Sequence, residues 1–173
     1  AANSFFIFSL APLFAILWTR LARRGWEPST PVKFSLGIAQ AGLGFGALVY
    51  GAQFPDQAGL VSAWWLILAY LLHTTGELCL SPVGLSAVTK LAVPSVVGVM
   101  MGTWFLASAY SSYVAAQIAT IAARPATETT LDRAGALAGY TELFGQLLTI
   151  GLAGGAVLIV LSPILKRLMH GVR

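Results

Sequence analysis

Residues 73–86 read His73-Thr74-Thr75-Gly76-Glu77-Leu78-Cys79-Leu80-Ser81-Pro82-Val83-Gly84-Leu85-Ser86, directly after the apolar run AWWLILAYLL. An acid, Glu77, stands in a stretch that otherwise reads as hydrocarbon, and Pro82 follows it. An acidic side chain deep in a membrane helix costs roughly 2.5–3.5 kcal/mol on insertion scales, so such groups usually face a cavity or a partner. A carboxyl group there can take up and release a proton as a cationic partner leaves and returns, which is what a proton-coupled carrier needs. The plainer alternative is a protonated acid that only glues two helices. Pro82 cannot donate to the Leu78 carbonyl, and its ring crowds that turn. With glycines on either side, a helix break at Pro82 and Gly84 is expected, opening backbone polar groups toward a cavity.

The rest of the chain supports a membrane reading of this stretch. Of its 173 residues, 57% are hydrophobic and only 9% charged, against about 25% charged in ordinary soluble domains. Mean hydropathy is +0.80. Five apolar stretches are each read as a crossing, at about 4–19, 33–53, 61–90, 94–123 and 137–165, most of them near or above the roughly 20 residues a bilayer requires. Lipid cannot pair open backbone groups, so all five should be helices. The expected fold is an all-α, polytopic membrane bundle. The start at Ala1, short of a full first span, suggests helices upstream.

Orientation follows from the basic residues. Arg20, Arg23, Arg24, Lys33, Lys90, Lys166, Arg167 and Arg173 fall on one side, against Arg124 and Arg133 on the other. The first side is expected to be cytoplasmic, which also puts the C-terminus there. The net charge of +4 is thus a matter of topology, and nucleic acid is not an expected partner. The segment RLARRGWEPSTPVK reads as a basic turn near anionic headgroups, and Arg124 to Arg133 as a solvated external connection.

Other features carry less chemistry. The single cysteine, Cys79, excludes an internal disulfide and reads as a small packing residue. His73 lies one helical turn before Glu77, yet two ligands without a third make a weak metal site. No metal is expected, and His73 reads as a hydrogen-bonded packing residue. Gly42/Gly46, Gly98/Gly102 and Gly151/Gly155 each form GxxxG, which permits close helix contact in lipid. In GVMMGTWFLASAYSSY, Trp104 and Ser108 share a helical face, with Phe105 beside them. An aromatic group and a hydroxyl there could meet an apolar ligand side chain and a peptide group.

Taken together, these residues resemble the proton-dependent oligopeptide transporter family of the major facilitator superfamily. GELCLSPVGLSAVTKLA (76–92) is similar to that family's tenth helix, GVMMGTWFLASA (98–109) to its eleventh, and NSFFIFSLAPLFAILW (3–18) to its eighth. The resemblance implies a C-terminal half comprising helices eight to twelve, with the N-terminal bundle and seventh helix absent from this chain. It implies that Glu77 receives a peptide's amino terminus and pairs with a lysine in the N-terminal half, and that Asn3 hydrogen-bonds the peptide. Trp104 and Phe105 would line side-chain pockets, with Ser108 a polar neighbour. The family's ExxERF coupling motif belongs to its first helix and does not occur here. Departures are Val93 within Leu91-Ala92-Val93-Pro94, Ser111-Ser112 before Tyr113, and Ser4 after Asn3. None removes the central acid.

The expected function is a proton-coupled symporter of di- and tripeptides in a bacterial inner membrane, working by alternating access. The proton is the coupling ion and no cofactor is expected. The partners are peptide, lipid and the missing bundle. Another small solute such as nitrate, or a structural membrane subunit, are the alternatives. No nucleophile–base pair or metal motif suggests an enzyme.

Overall fold

An apolar chain in lipid must satisfy its backbone polar groups locally, and helices do this. The computed structural model describes residues 2–122 and 130–169. Five helices follow one another: α1 (Ala2–Arg23), α2 (Thr30–Gly51), α3 (Ala63–Leu91), α4 (Val97–Ala122) and α5 (Thr130–Leu168). A short 3-10 turn, Pro94–Val96, leads into α4. The expected spans therefore all appear as helices. Arg124 and Arg173 lie outside the described residues. Of the expected external connection, residues 124–129 also lie outside the described residues, and 130–133 belong to α5.

The helix ends follow local chemistry. At the end of α1, Gly25 adopts φ 71°, and the Trp26 amide donates to Leu21 O at 2.9 Å. That is a Schellman closure, which favours glycine at the left-handed position. Ser29 and Pro31 then start α2 three residues earlier than expected, since proline suits the first turn of a helix. Between α2 and α3, Asp56 Oδ1 accepts from the amides of Ala58 and Leu60 at 2.9 and 2.8 Å.

Among the described residues, four helices are long and apolar enough to cross a membrane, namely α1, α2, α3 and α5. The fifth, α4, was also read as a crossing and is long enough at 26 residues, with Ser108, Tyr110, Ser111, Ser112 and Tyr113 grouped on its central turns. At 39 residues, α5 is about 58 Å long at 1.5 Å per residue. It must tilt or project beyond a hydrocarbon core of roughly 30 Å.

The bundle is organised around α2, which packs along both α3 and α5, while α3 and α5 make no close backbone contact with each other. Glycines set these approaches. A Cβ on Gly42 would lie 3.1 Å from Gly151 Cα, and one on Gly155 would lie 3.1 Å from Ser35 O. The fully buried Ser35 donates to Gly155 O at 2.6 Å. The motifs Gly42/Gly46 and Gly151/Gly155 thus meet each other across α2 and α5. Gly98/Gly102 does not take part, since a Cβ on either glycine would meet nothing within 4 Å. On the other side, Gly37 faces Gly76 and Leu80, and Gly44 faces His73. Outer surfaces are strongly apolar: Phe8 is 85% exposed and Val160 72%, as suits helices whose solvent is lipid or further protein.

Candidate functional site

Glu77 stands at the centre of α3, with fourteen residues on either side of it between Ala63 and Leu91. That places it about 21 Å from each helix end at 1.5 Å per residue. Its neighbours Gly76 and Leu78 are buried while Glu77 itself is exposed. Among the described residues it accepts no hydrogen bond and forms no ion pair. The carboxylate is thus held on the open side of a helix whose other faces are engaged.

One turn before it, Thr74 is completely buried. Its hydroxyl donates to Asn3 Oδ1 at 2.7 Å and lies 2.8 Å from Tyr70 O. This contact docks the start of α1 on the centre of α3 and brings Asn3 beside the turn that carries Glu77. Thr74 had no distinguishing signal in the sequence, where it is one of two adjacent threonines. His73 Nε2 lies 3.0 Å from Ala41 O, and its ring packs 4.7 Å from that of Phe45. Gly44 leaves room for that ring. The histidine is a hydrogen-bonded packing residue, as its setting in the sequence suggested. Cys79 is buried and lies 3.9 Å from Gln40 Oε1.

Pro82 and Gly84, where the helix was expected to bend, lie inside one continuous α-helix from Ala63 to Leu91, so the backbone stays helical through them. A proline removes a single amide donor, and the surrounding turns keep their own bonds. Pro12 and Pro163 are likewise inside helices. Gly84 has a different purpose: a Cβ there would overlap the indole of Trp104. Trp104 also meets Phe34 of α2 edge-on at 6.4 Å, so it keys α4 onto α3 and α2. Phe105, turned away from that contact, is 59% exposed. Ser108 Oγ bonds back to Trp104 O at 3.0 Å. Asn3 and Glu77 therefore form one group, and Trp104, Phe105 and Ser108 another. α1 and α4 make no close contact and are joined through α3.

Lys33 is the main departure from the sequence reading. It was counted among basic residues of a cytoplasmic turn, yet it is 5% exposed. Its Nζ pairs with Glu27 Oε1 at 2.5 Å and lies 4.8 Å from the Trp18 ring centroid. Lys33 belongs to the first turn of α2, where the helix dipole opposes a cation. Glu27 and the Trp18 π-face offset that cost, tying α1, the connecting turn and α2 together. Its signal in the sequence was position, since Lys33 follows Pro31 inside the next apolar run. Among the described residues no three His, Cys, Asp or Glu side chains gather as a metal site.

Residues 1–138 match the family model described as PTR2: POT family. Among curated proteins, the chain is 43% identical over 170 residues to an uncharacterized transporter, YclF, of Bacillus subtilis (strain 168), covering 98% of this chain and 31% of that protein. It is 36% identical over 171 residues to dipeptide and tripeptide permease B of Aeromonas hydrophila subsp. hydrophila, covering 98% of this chain and 34% of the permease. The chain thus spans about a third of the length of these relatives. Among solved structures, a peptide transporter POT in complex with sulfate superposes with TM-score 0.72 at 33% identity, over 97% of this chain and 31% of that one. A mutant form of peptide transporter POT in complex with alafosfalin gives TM-score 0.68 at 33% identity, over the same shares.

Proposed function

The chain belongs to the POT family of transporters, and on that premise we propose that it supplies the C-terminal bundle, helices eight to twelve, of a proton-coupled symporter for di- and tripeptides. Glu77 is the observation that carries this reading. An exposed carboxylate at the middle of an apolar helix, with no hydrogen bond or salt bridge among the described residues, suits a group that meets a cationic ligand. A peptide's amino terminus is such a ligand. Asn3, fixed by Thr74 beside the same turn, would hydrogen-bond the peptide. Trp104, seated on Gly84, would act as a fixed wall that presents Phe105 and Ser108 to peptide side chains. The permease and the alafosfalin complex among the relatives support a peptide-like substrate.

In this mechanism the peptide sits near the bilayer midplane, between this bundle and an N-terminal one. The two rock about it, and protonation of carboxylates exchanges one ion-pair arrangement for another. The protein would lie in a bacterial inner membrane with its C-terminus in the cytoplasm. The test is uptake by the complete transporter in liposomes under an inward proton gradient. Glu77→Gln should lower gradient-driven peptide uptake at least tenfold while the protein remains folded and inserted. Undiminished uptake would remove Glu77 from the mechanism.

A further inference from the structure

A buried threonine needs no hydroxyl in order to pack, because valine has nearly the same shape and carries no polar atom to desolvate. Thr74 nevertheless keeps a hydroxyl at the centre of α3, with none of the residue exposed. Elsewhere in α3 and α4, the hydroxyls of Thr75, Thr89, Thr103 and Ser108 bond back to carbonyls of their own helix. The Thr74 hydroxyl crosses to another helix and meets the side chain of Asn3 at 2.7 Å.

The second neighbour of that hydroxyl is Tyr70 O at 2.8 Å. In a continuous helix this oxygen already accepts the amide of Thr74, four residues on. A hydroxyl carries one proton. Tyr70 O does not need it, so the proton is available to Asn3. When Asn3 turns toward a ligand, the same proton falls back on Tyr70 O, and the hydroxyl is never left unpaired in the core. The bond thus holds Asn3 in an empty site and lets it go without a buried polar group being stranded. Asn3 itself is half-buried, so one side of its amide stays open. Without this anchor its side chain would be free to rotate, and a ligand would have to order it on arrival. Thr74 and Glu77 are three residues apart, roughly 4.5 Å along the axis at 1.5 Å per residue. A rigid helix therefore sets the offset between the carboxylate and the held amide.

We infer that Thr74 is a positioning residue of the peptide site, its hydroxyl holding the Asn3 amide at a fixed offset from Glu77 and thereby setting the affinity for peptide. Thr74 makes no contact with the ligand and acts through Asn3. The inference rests on the peptide reading of Asn3 and Glu77. Loss of an interaction that holds the substrate equally before and during its passage raises KM and leaves the maximal rate in place.

The experiment is gradient-driven dipeptide uptake by the complete transporter in liposomes, read as KM and maximal rate. Thr74→Val keeps the shape and loses the hydroxyl. It should raise KM roughly tenfold, the scale of one hydrogen bond, with the maximal rate within about twofold of wild type. Thr74→Ser restores the hydroxyl and should bring KM back to within about threefold of wild type. Asn3→Ala should raise KM at least as much as Thr74→Val, and adding Thr74→Val to it should change KM by less than about twofold, because the two act as one unit. A threonine that only docks α1 on α3 would give another pattern: a lower maximal rate or thermal midpoint, and an effect that multiplies with that of Asn3→Ala. That pattern, or an unchanged KM in Thr74→Val or in Asn3→Ala, would overturn this inference alone so long as the wild type takes up peptide. A wild type that takes up no peptide would overturn the proposed function, and this inference with it.

Discussion

Glu27 and Lys33 show how a single pair can change meaning once the chain folds. In the sequence, Lys33 is one more basic residue near a helix start. In the structure its side chain is 6% exposed and that of Glu27 23%, so neither charge is freely hydrated. Removing one member of a buried pair typically costs roughly 3–5 kcal/mol. Glu27→Ala should therefore lower the thermal midpoint of the complete protein by an amount equivalent to about 3 kcal/mol, Glu27 being the wetter partner. Joining it with Lys33→Met should recover part of that loss, because no buried charge is left unpaired. If the double variant is as unstable as the sum of the singles, the pair is not coupled. Gly84 offers a second test at this scale. Gly84→Ala should be destabilising, because the new methyl meets the Trp104 indole. The cost should be roughly 1–3 kcal/mol, as for other overpacked sites. Trp104→Phe in the same chain should relieve most of it, read as a double-mutant cycle in thermal unfolding.

Among the helices, α2 determines how the bundle is assembled. Its glycines let α3 and α5 approach on different faces, and a Cβ added to Gly151 of α5 would lie 2.6 Å from Gly42 Cα of α2. Gly42→Leu or Gly151→Leu should separate α2 from α5 and abolish a disulfide engineered between those helices. Gly98→Leu and Gly102→Leu should leave the same cross-link intact, since both glycines face open space. Loss of the cross-link in all four variants would show that the contrast between the motifs is not structural. These GxxxG motifs are indistinguishable in sequence because the pattern reports permission for close contact, and only the placement of neighbours decides where it is used. The proline of α3 teaches the same lesson. Pro82 removes one hydrogen bond, but the continuous helix around it absorbs the loss.

For the whole molecule, the apolar exterior and the charge distribution set its place in the membrane. If the basic-rich side is cytoplasmic, a cysteine at Arg23 or Lys166 should be labelled by an impermeant maleimide only from the cytoplasmic side. A cysteine at Asp56, in the connection between α2 and α3, should be labelled only from outside. The reverse pattern would invert the proposed orientation and put the C-terminus outside.

The sequence by itself determined the helical membrane class, the approximate positions of the helices, the family and the central acid. Each follows from local quantities: the run of apolar residues a bilayer demands, the absence of any other way to pair the backbone in lipid, and the cost of an acid among those residues. The tertiary structure alone decided that Thr74 holds Asn3 beside the Glu77 turn, that Lys33 is buried against Glu27 and Trp18, and that Gly84 seats Trp104 within an unbroken helix. Those features depend on which faces of distant helices meet, and periodicity along one helix carries no information about the neighbour across the gap.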